Sequence, residues 1–124
     1  MKMYEIIDLQ GLYQSIANIR LPLKTSYKFT RLMRRVEEEL IFYQTKLQEI
    51  LEDCAEMIDG RPALTPDGRS IMVAQDKRVE CEKRLTELRN LEVQIEGIKF
   101  SLEELEGIDI SIAELSCLMS LIEE

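Results

Sequence analysis

The chain has 124 residues, 45% of them hydrophobic and 32% charged, with a net charge of −8 and no histidine. That length fits one domain, and the balance is globular rather than disordered. The absence of histidine removes Ser–His and Cys–His activation and the commonest general base and transition-metal ligand, so the expectation is a protein that binds without catalysing.

The sequence start, MKMYEIIDLQ, carries Glu5 and Asp8 and no long apolar core, which is unlike a signal peptide. No run approaches the ~20 apolar residues of a membrane span. The expectation is a cytoplasmic protein with no membrane partner. Cys54, Cys81 and Cys117 are widely spaced with no CxxC, so they read as small buried hydrophobes, with neither a disulfide framework nor a metal site. No cofactor is expected.

Along the chain, residues 8–19 (DLQGLYQSIANI) read as a short helix, with Asp8 as N-cap and Leu9, Leu12, Ile16 and Ile19 at helical spacing. Pro22 ends that pattern. Thr25 or Ser26 is the expected cap of the next helix. Over residues 25–59, Phe29, Met33, Val36, Leu40, Tyr43, Leu47, Ile50, Cys54 and Met57 are separated by alternating steps of four and three. This is a heptad-type seam on one long helix, ended by Gly60 and Pro62. Residues 60–72 form a turn or hairpin around Pro66-Asp67-Gly68.

Residues 73–90 resume helical spacing through Ala74, Cys81, Leu85 and Leu88. In residues 91–100 the apolar positions alternate, which reads as a short strand or a hairpin with Glu96-Gly97 at its turn or bulge. Ser101/Glu104 and Ser111/Glu114 are capping-box pairs. The first opens a single turn closed by Gly107. The second opens a terminal helix over 111–122, with Ile112, Leu115, Leu118, Met119 and Ile122 facing inward. The expected fold is a single mainly α domain over residues 1–124: a long antiparallel helical hairpin with a small β element and short terminal helices.

Charge is divided along the chain. Residues 1–35 hold seven basic and two acidic residues, a net +5, whereas residues 36–124 hold nine basic and twenty-two acidic, a net −13. Such asymmetry informs on partners rather than on fold. Lys24, Lys28, Arg31 and Arg35 share one helix face, with Arg20, Arg34 and Tyr27 beside them. Arginine offers paired donors to phosphate and tyrosine offers a stacking face, so Arg20, Lys24, Tyr27, Lys28, Arg31, Arg34 and Arg35 form the expected site for an anionic small molecule such as a nucleotide, for a phosphate backbone or for an acidic protein. The same cations have a structural alternative, pairing with Glu114, Glu123 and Glu124. General nucleic-acid binding is disfavoured by the net acidity elsewhere. The acidic runs 37–39, 49–56 and 103–106 read either as solvated faces or as a mimic of nucleic acid. Because the second helix is shorter than the first, the rest of the seam of Phe29, Met33, Val36, Leu40, Tyr43, Leu47 and Ile50 needs cover from the terminal helices or from a second copy, and the favoured expectation is a homo-oligomer, a dimer or higher.

Residues 21–44 (LPLKTSYKFTRLMRRVEEELIFYQ) and 92–124 (EVQIEGIKFSLEELEGIDISIAELSCLMSLIEE) resemble a family of small phage and prophage proteins of Gram-positive hosts with no assigned activity. The shared layout is a Leu-Pro-aliphatic-Lys entry, a long helix of mixed charge, a Gly-containing turn, a second helix, a short β segment and a terminal aliphatic helix. The resemblance implies a phage context and no obvious enzyme. Together with the small size, the lack of catalytic groups and the basic cluster, it leads to the expectation of a phage accessory protein in the host cytoplasm that counters host defence by binding a host factor or nucleotide-type signal. A virion structural or assembly protein acting through helix–helix contacts is the alternative.

Overall fold

The computed structural model describes residues 1–123. It is mainly helical, with one long helix and two-stranded β elements. In order the elements are α1 (Met3–Ile16), α2 (Leu23–Asp53), β1 (Met57–Ile58), β2 (Arg61–Pro62), α3 (Arg78–Arg89), β3 (Phe100–Ser101), α4 (Leu102–Leu105), α5 (Ile112–Leu118) and β4 (Ile122–Glu123), with short 3₁₀ turns before α3 and before β4. The chain, read from its length as one domain, divides into two compact units: Met1–Leu40 with Glu92–Glu124, and Ile41–Leu91.

In the first unit α1 begins at Met3, well ahead of Asp8. The Lys2 backbone N–H donates to Glu5 Oε1 at 3.0 Å, so Glu5 reaches back to the helix start and Asp8 lies within the helix. Met3, Ile6, Leu9, Leu12 and Ile16 are buried, but Ile19 lies beyond the helix and is 39% exposed. α1 packs against α5. α2 starts at Leu23, directly after Pro22, whose carbonyl accepts the Ser26 N–H at 3.0 Å. Neither Thr25 nor Ser26 is its cap: Thr25 is buried inside the helix, and the Ser26 hydroxyl donates back to the Leu21 carbonyl. Phe29 and Phe100 stack with ring centroids 4.5 Å apart, and Phe100 is fully buried. Lys28 Nζ lies 5.8 Å from the Phe100 centroid.

The stretch 91–100 forms no hairpin of its own. Glu92 makes an isolated bridge to Lys2, residues 94–99 run without regular pairing, and Phe100–Ser101 pairs in parallel with Ile122–Glu123. The alternation survives as burial, with Val93, Ile98 and Phe100 inside. Both capping boxes form: Ser101 Oγ accepts from Glu104 N at 3.2 Å and Ser111 Oγ from Glu114 N at 3.1 Å. The terminal helix is shorter than the sequence pattern, ending at Leu118. Within it Leu118 is buried and Ile112 points outward at 88% exposure, and Met119, just beyond its end, is 57% exposed.

In the second unit α2 stops at Asp53 rather than running on to Met57. Backbone pairing competes for the next residues: Ala74 N donates to Cys54 O and Glu56 N to Met72 O, both at 2.8 Å. β1 and β2 then form a two-residue hairpin whose central residues Asp59 and Gly60 have φ of 52° and 76°. This Asp-Gly turn matches the twist of antiparallel strands, and it leaves Met57 exposed. A second turn at Thr65-Pro66-Asp67-Gly68 closes with Gly68 N on Thr65 O at 2.8 Å. The Thr65 hydroxyl and the Arg69 N–H donate to Asp67 and hold its carboxyl below the ordinary range. Ile50, Cys54, Cys81 and Leu88 make a small core with Tyr43, Leu47, Leu51, Val73 and Leu85 around it. Arg84 pairs with Asp53 at 3.1 Å and Lys77 donates to the Asp53 carbonyl at 3.2 Å, placing cations where the helix dipole of α2 favours them.

These cores change the meaning of the helical seam. Phe29, Met33, Val36, Leu40 and Ile50 are buried within the single chain, and Tyr43 and Leu47 are half-buried. Among the described residues the stripe is thus largely covered within the single chain, with Tyr43 and Leu47 its partly open positions.

Candidate functional site

The basic cluster separates into two groups. Lys28 turns toward β3: its Nζ donates to the Lys99 carbonyl and to Glu104 Oε1, both at 2.7 Å. The Lys28 ammonium, together with the Ser101 N–H, holds the Glu104 carboxyl below the usual glutamate range. Lys24 borders a shallow acidic groove with Glu103, Glu104 and Glu106, and Arg20 is exposed on the α1–α2 connection. Lys28 thus pairs structurally, with Glu104 rather than with Glu114 or Glu123. Glu124 lies outside the described residues.

Tyr27, Arg31, Arg34 and Arg35 do come together. They line a cleft of about 780 Å³ in the first unit. Their spacing places them on one side of α2, where Thr30 and Glu38 complete that wall. The opposite wall is Gln94, Glu96 and Ile98, in the irregular segment after the Glu92 bridge. Sequence reasoning did not connect this segment with the cluster. Glu96-Gly97 interrupting the apolar alternation was its only local sign.

The cleft is braced from several sides. Val93 and Ile98 are buried, which anchors the loop at both ends. Gly97 has φ of 74°, a backbone state that other residues adopt with strain. A side-chain carbon at Gly97 would meet Arg31 Nη2 at 3.9 Å, ordinary van der Waals contact, so glycine is needed there for the backbone rather than for room. Arg35 Nη2 donates to the Gln94 carbonyl at 3.4 Å, and Arg31 Cζ lies 5.9 Å from the Tyr27 ring centroid.

Within the cleft the charges are not equivalent. Arg35 is answered by Glu39 and by Glu38, the latter at 3.4 Å. Arg31 and Arg34 form no ion pair among the described residues, and neither does Glu96. Two uncompensated guanidiniums, an exposed tyrosine ring and one free carboxylate therefore face a common space. Such a set can hold an anion, stack a planar ring and accept hydrogen bonds from a ligand.

Other chemistry is less developed. Burial pushes the Cys81 and Cys117 thiols up, away from the thiolate form. Among the described residues no group of three or more His, Cys, Asp or Glu side chains converges as a metal site, and no helix is long and apolar enough to cross a membrane. Compared with protein-family models, curated proteins and solved structures, the chain matches none.

Proposed function

We propose that this protein is a phage accessory factor that works by stoichiometric binding, taking a nucleotide-type signalling molecule in the cleft of Tyr27, Arg31, Arg34 and Arg35 and so withholding it from a host defence system. One observation carries the ligand class: two arginines without carboxylate partners share a cleft with an exposed tyrosine face. Arginine pairs with phosphate through parallel donors, and tyrosine stacks a base. A volume of about 780 Å³ lies in the range of small-molecule sites. The phage setting rests on the resemblance of residues 21–44 and 92–124. A role in the host cytoplasm without turnover accords with that setting and with the lack of histidine. We read the part of α2 in the second unit with α3 as an antiparallel helical hairpin. A virion assembly role through the seam has less support, because most of the seam residues are buried within one chain.

The test is calorimetric titration of the protein with nucleoside triphosphates, cyclic nucleotides and ADP-ribose. Arg34→Glu should weaken binding at least tenfold, since one charge-assisted hydrogen bond contributes about 1.5–3 kcal/mol and 1.4 kcal/mol is a factor of ten. Arg20→Glu should leave binding unchanged. Equal affinity of the Arg34→Glu and unsubstituted proteins, or no binding by any of these compounds, overturns the proposal.

A further inference from the structure

We infer, resting on the proposed nucleotide binding, that the base recognised in this cleft is guanine and that Glu96 reads it. A free carboxylate is out of place in a site for phosphate alone, where it opposes the charge the arginines attract. Glu38 in the same cleft is occupied by Arg35, but Glu96 has no hydrogen-bond or ion-pair partner among the described residues. It is therefore available to a ligand that supplies donors.

The chemistry of the bases selects one. An ionised carboxylate only accepts, and its two oxygens accept two parallel N–H groups side by side. Guanine presents such a pair on its Watson–Crick edge, N1–H beside the exocyclic N2–H. Adenine and cytosine present one amine next to a ring acceptor, and uracil presents one N–H between two carbonyl oxygens. Each of these would set an acceptor against the carboxylate.

The position of Glu96 supports this use. Buried Val93 and Ile98 hold its loop, Gly97 fixes the turn beside it, and Arg35 ties down the Gln94 carbonyl. Its backbone is thus set before a ligand arrives, which lowers the ordering cost of binding. Tyr27 with Arg31 provides the platform for the ring, leaving Arg34 to the phosphates.

Titration with GTP, ITP, ATP and inorganic tripolyphosphate tests the inference. ITP differs from GTP by the missing N2 amino group alone. The expected result is GTP binding about tenfold or more tighter than ITP and ATP. Glu96→Gln should erase that preference while leaving tripolyphosphate binding unchanged or tighter. Equal affinities for GTP, ITP and ATP overturn the guanine assignment and leave the cleft as a general nucleotide site. Absence of binding by all four probes overturns the guanine assignment, and the nucleotide reading falls with it when cyclic nucleotides and ADP-ribose also fail to bind.

Discussion

Replacing Phe100 by alanine should cost the first unit roughly 3–5 kcal/mol, the range for truncating a buried phenylalanine. The ring has no exposed surface, and it stacks on Phe29 at 4.5 Å. Aromatic pairs contribute about 0.5–1.5 kcal/mol beyond their buried area, so the upper part of the range applies. The loss should also loosen Lys28, whose ammonium lies over the same ring and ties Lys99 and Glu104 together. Set against a total of about 5–15 kcal/mol for an ordinary domain, this removes a fifth or more of the stability. Phe100→Leu separates the contributions: it keeps apolar volume and loses the ring pair, and should cost only about 1–1.5 kcal/mol. Urea titration followed by far-ultraviolet circular dichroism measures both. A cost below about 1 kcal/mol for Phe100→Ala would show that Phe100 is not the packing centre of the first unit.

Two further outcomes are expected. Gly60→Ala should destabilise the second unit by roughly 1–2 kcal/mol in the same titration, because φ is 76° there and an L side chain resists that conformation; an unchanged midpoint would contradict the two-residue turn. Glu104 is ionised more readily in the folded state than in the unfolded chain, so its contribution is complete above the ordinary glutamate value of about 4.3 and is lost as pH falls through its lower folded value. Glu104→Gln should therefore cost roughly 1–2 kcal/mol at pH 7 and flatten the acid limb of a stability–pH curve. A variant that keeps the parent's slope below about pH 4 would assign that slope to other carboxylates.

Much of α2 was legible because its pattern repeats: steps of four and three from Phe29 to Ile50 have no other regular solution, and most of those side chains are buried. The ends were less legible, for different reasons. At the start of α1, Glu5 reaching back to Lys2 outweighs the local appeal of Asp8 as a cap. At the end of α2, Cys54 and Glu56 are captured by Ala74 and Met72, a non-local pairing that helical periodicity does not encode. The strand-like alternation of 91–100 was real but misleading. It records an extended segment with one side buried, and its regular pairing comes only at Phe100–Ser101, with residues far along the chain. Half of the candidate site, the arginine face of α2, followed from spacing alone. The other half depends on a loop that Arg35 meets across 59 positions of sequence, and nothing local announces that contact.

The division into two units carries a consequence for how the molecule is made. Ile41–Leu91 is one uninterrupted stretch, whereas the other unit joins Met1–Leu40 to Glu92–Glu124. A ribosome delivers the residues of the inner stretch together, so its turns and short helix can assemble while synthesis continues. The outer unit has to wait, because Val93, Phe100 and Leu118 arrive late and its final strand pair closes with Ile122–Glu123. Until then the apolar faces of Met3–Ile16 and Phe29–Leu40 are without their late-arriving cover, transiently exposed hydrophobic surface of the kind that makes incomplete chains prone to aggregate.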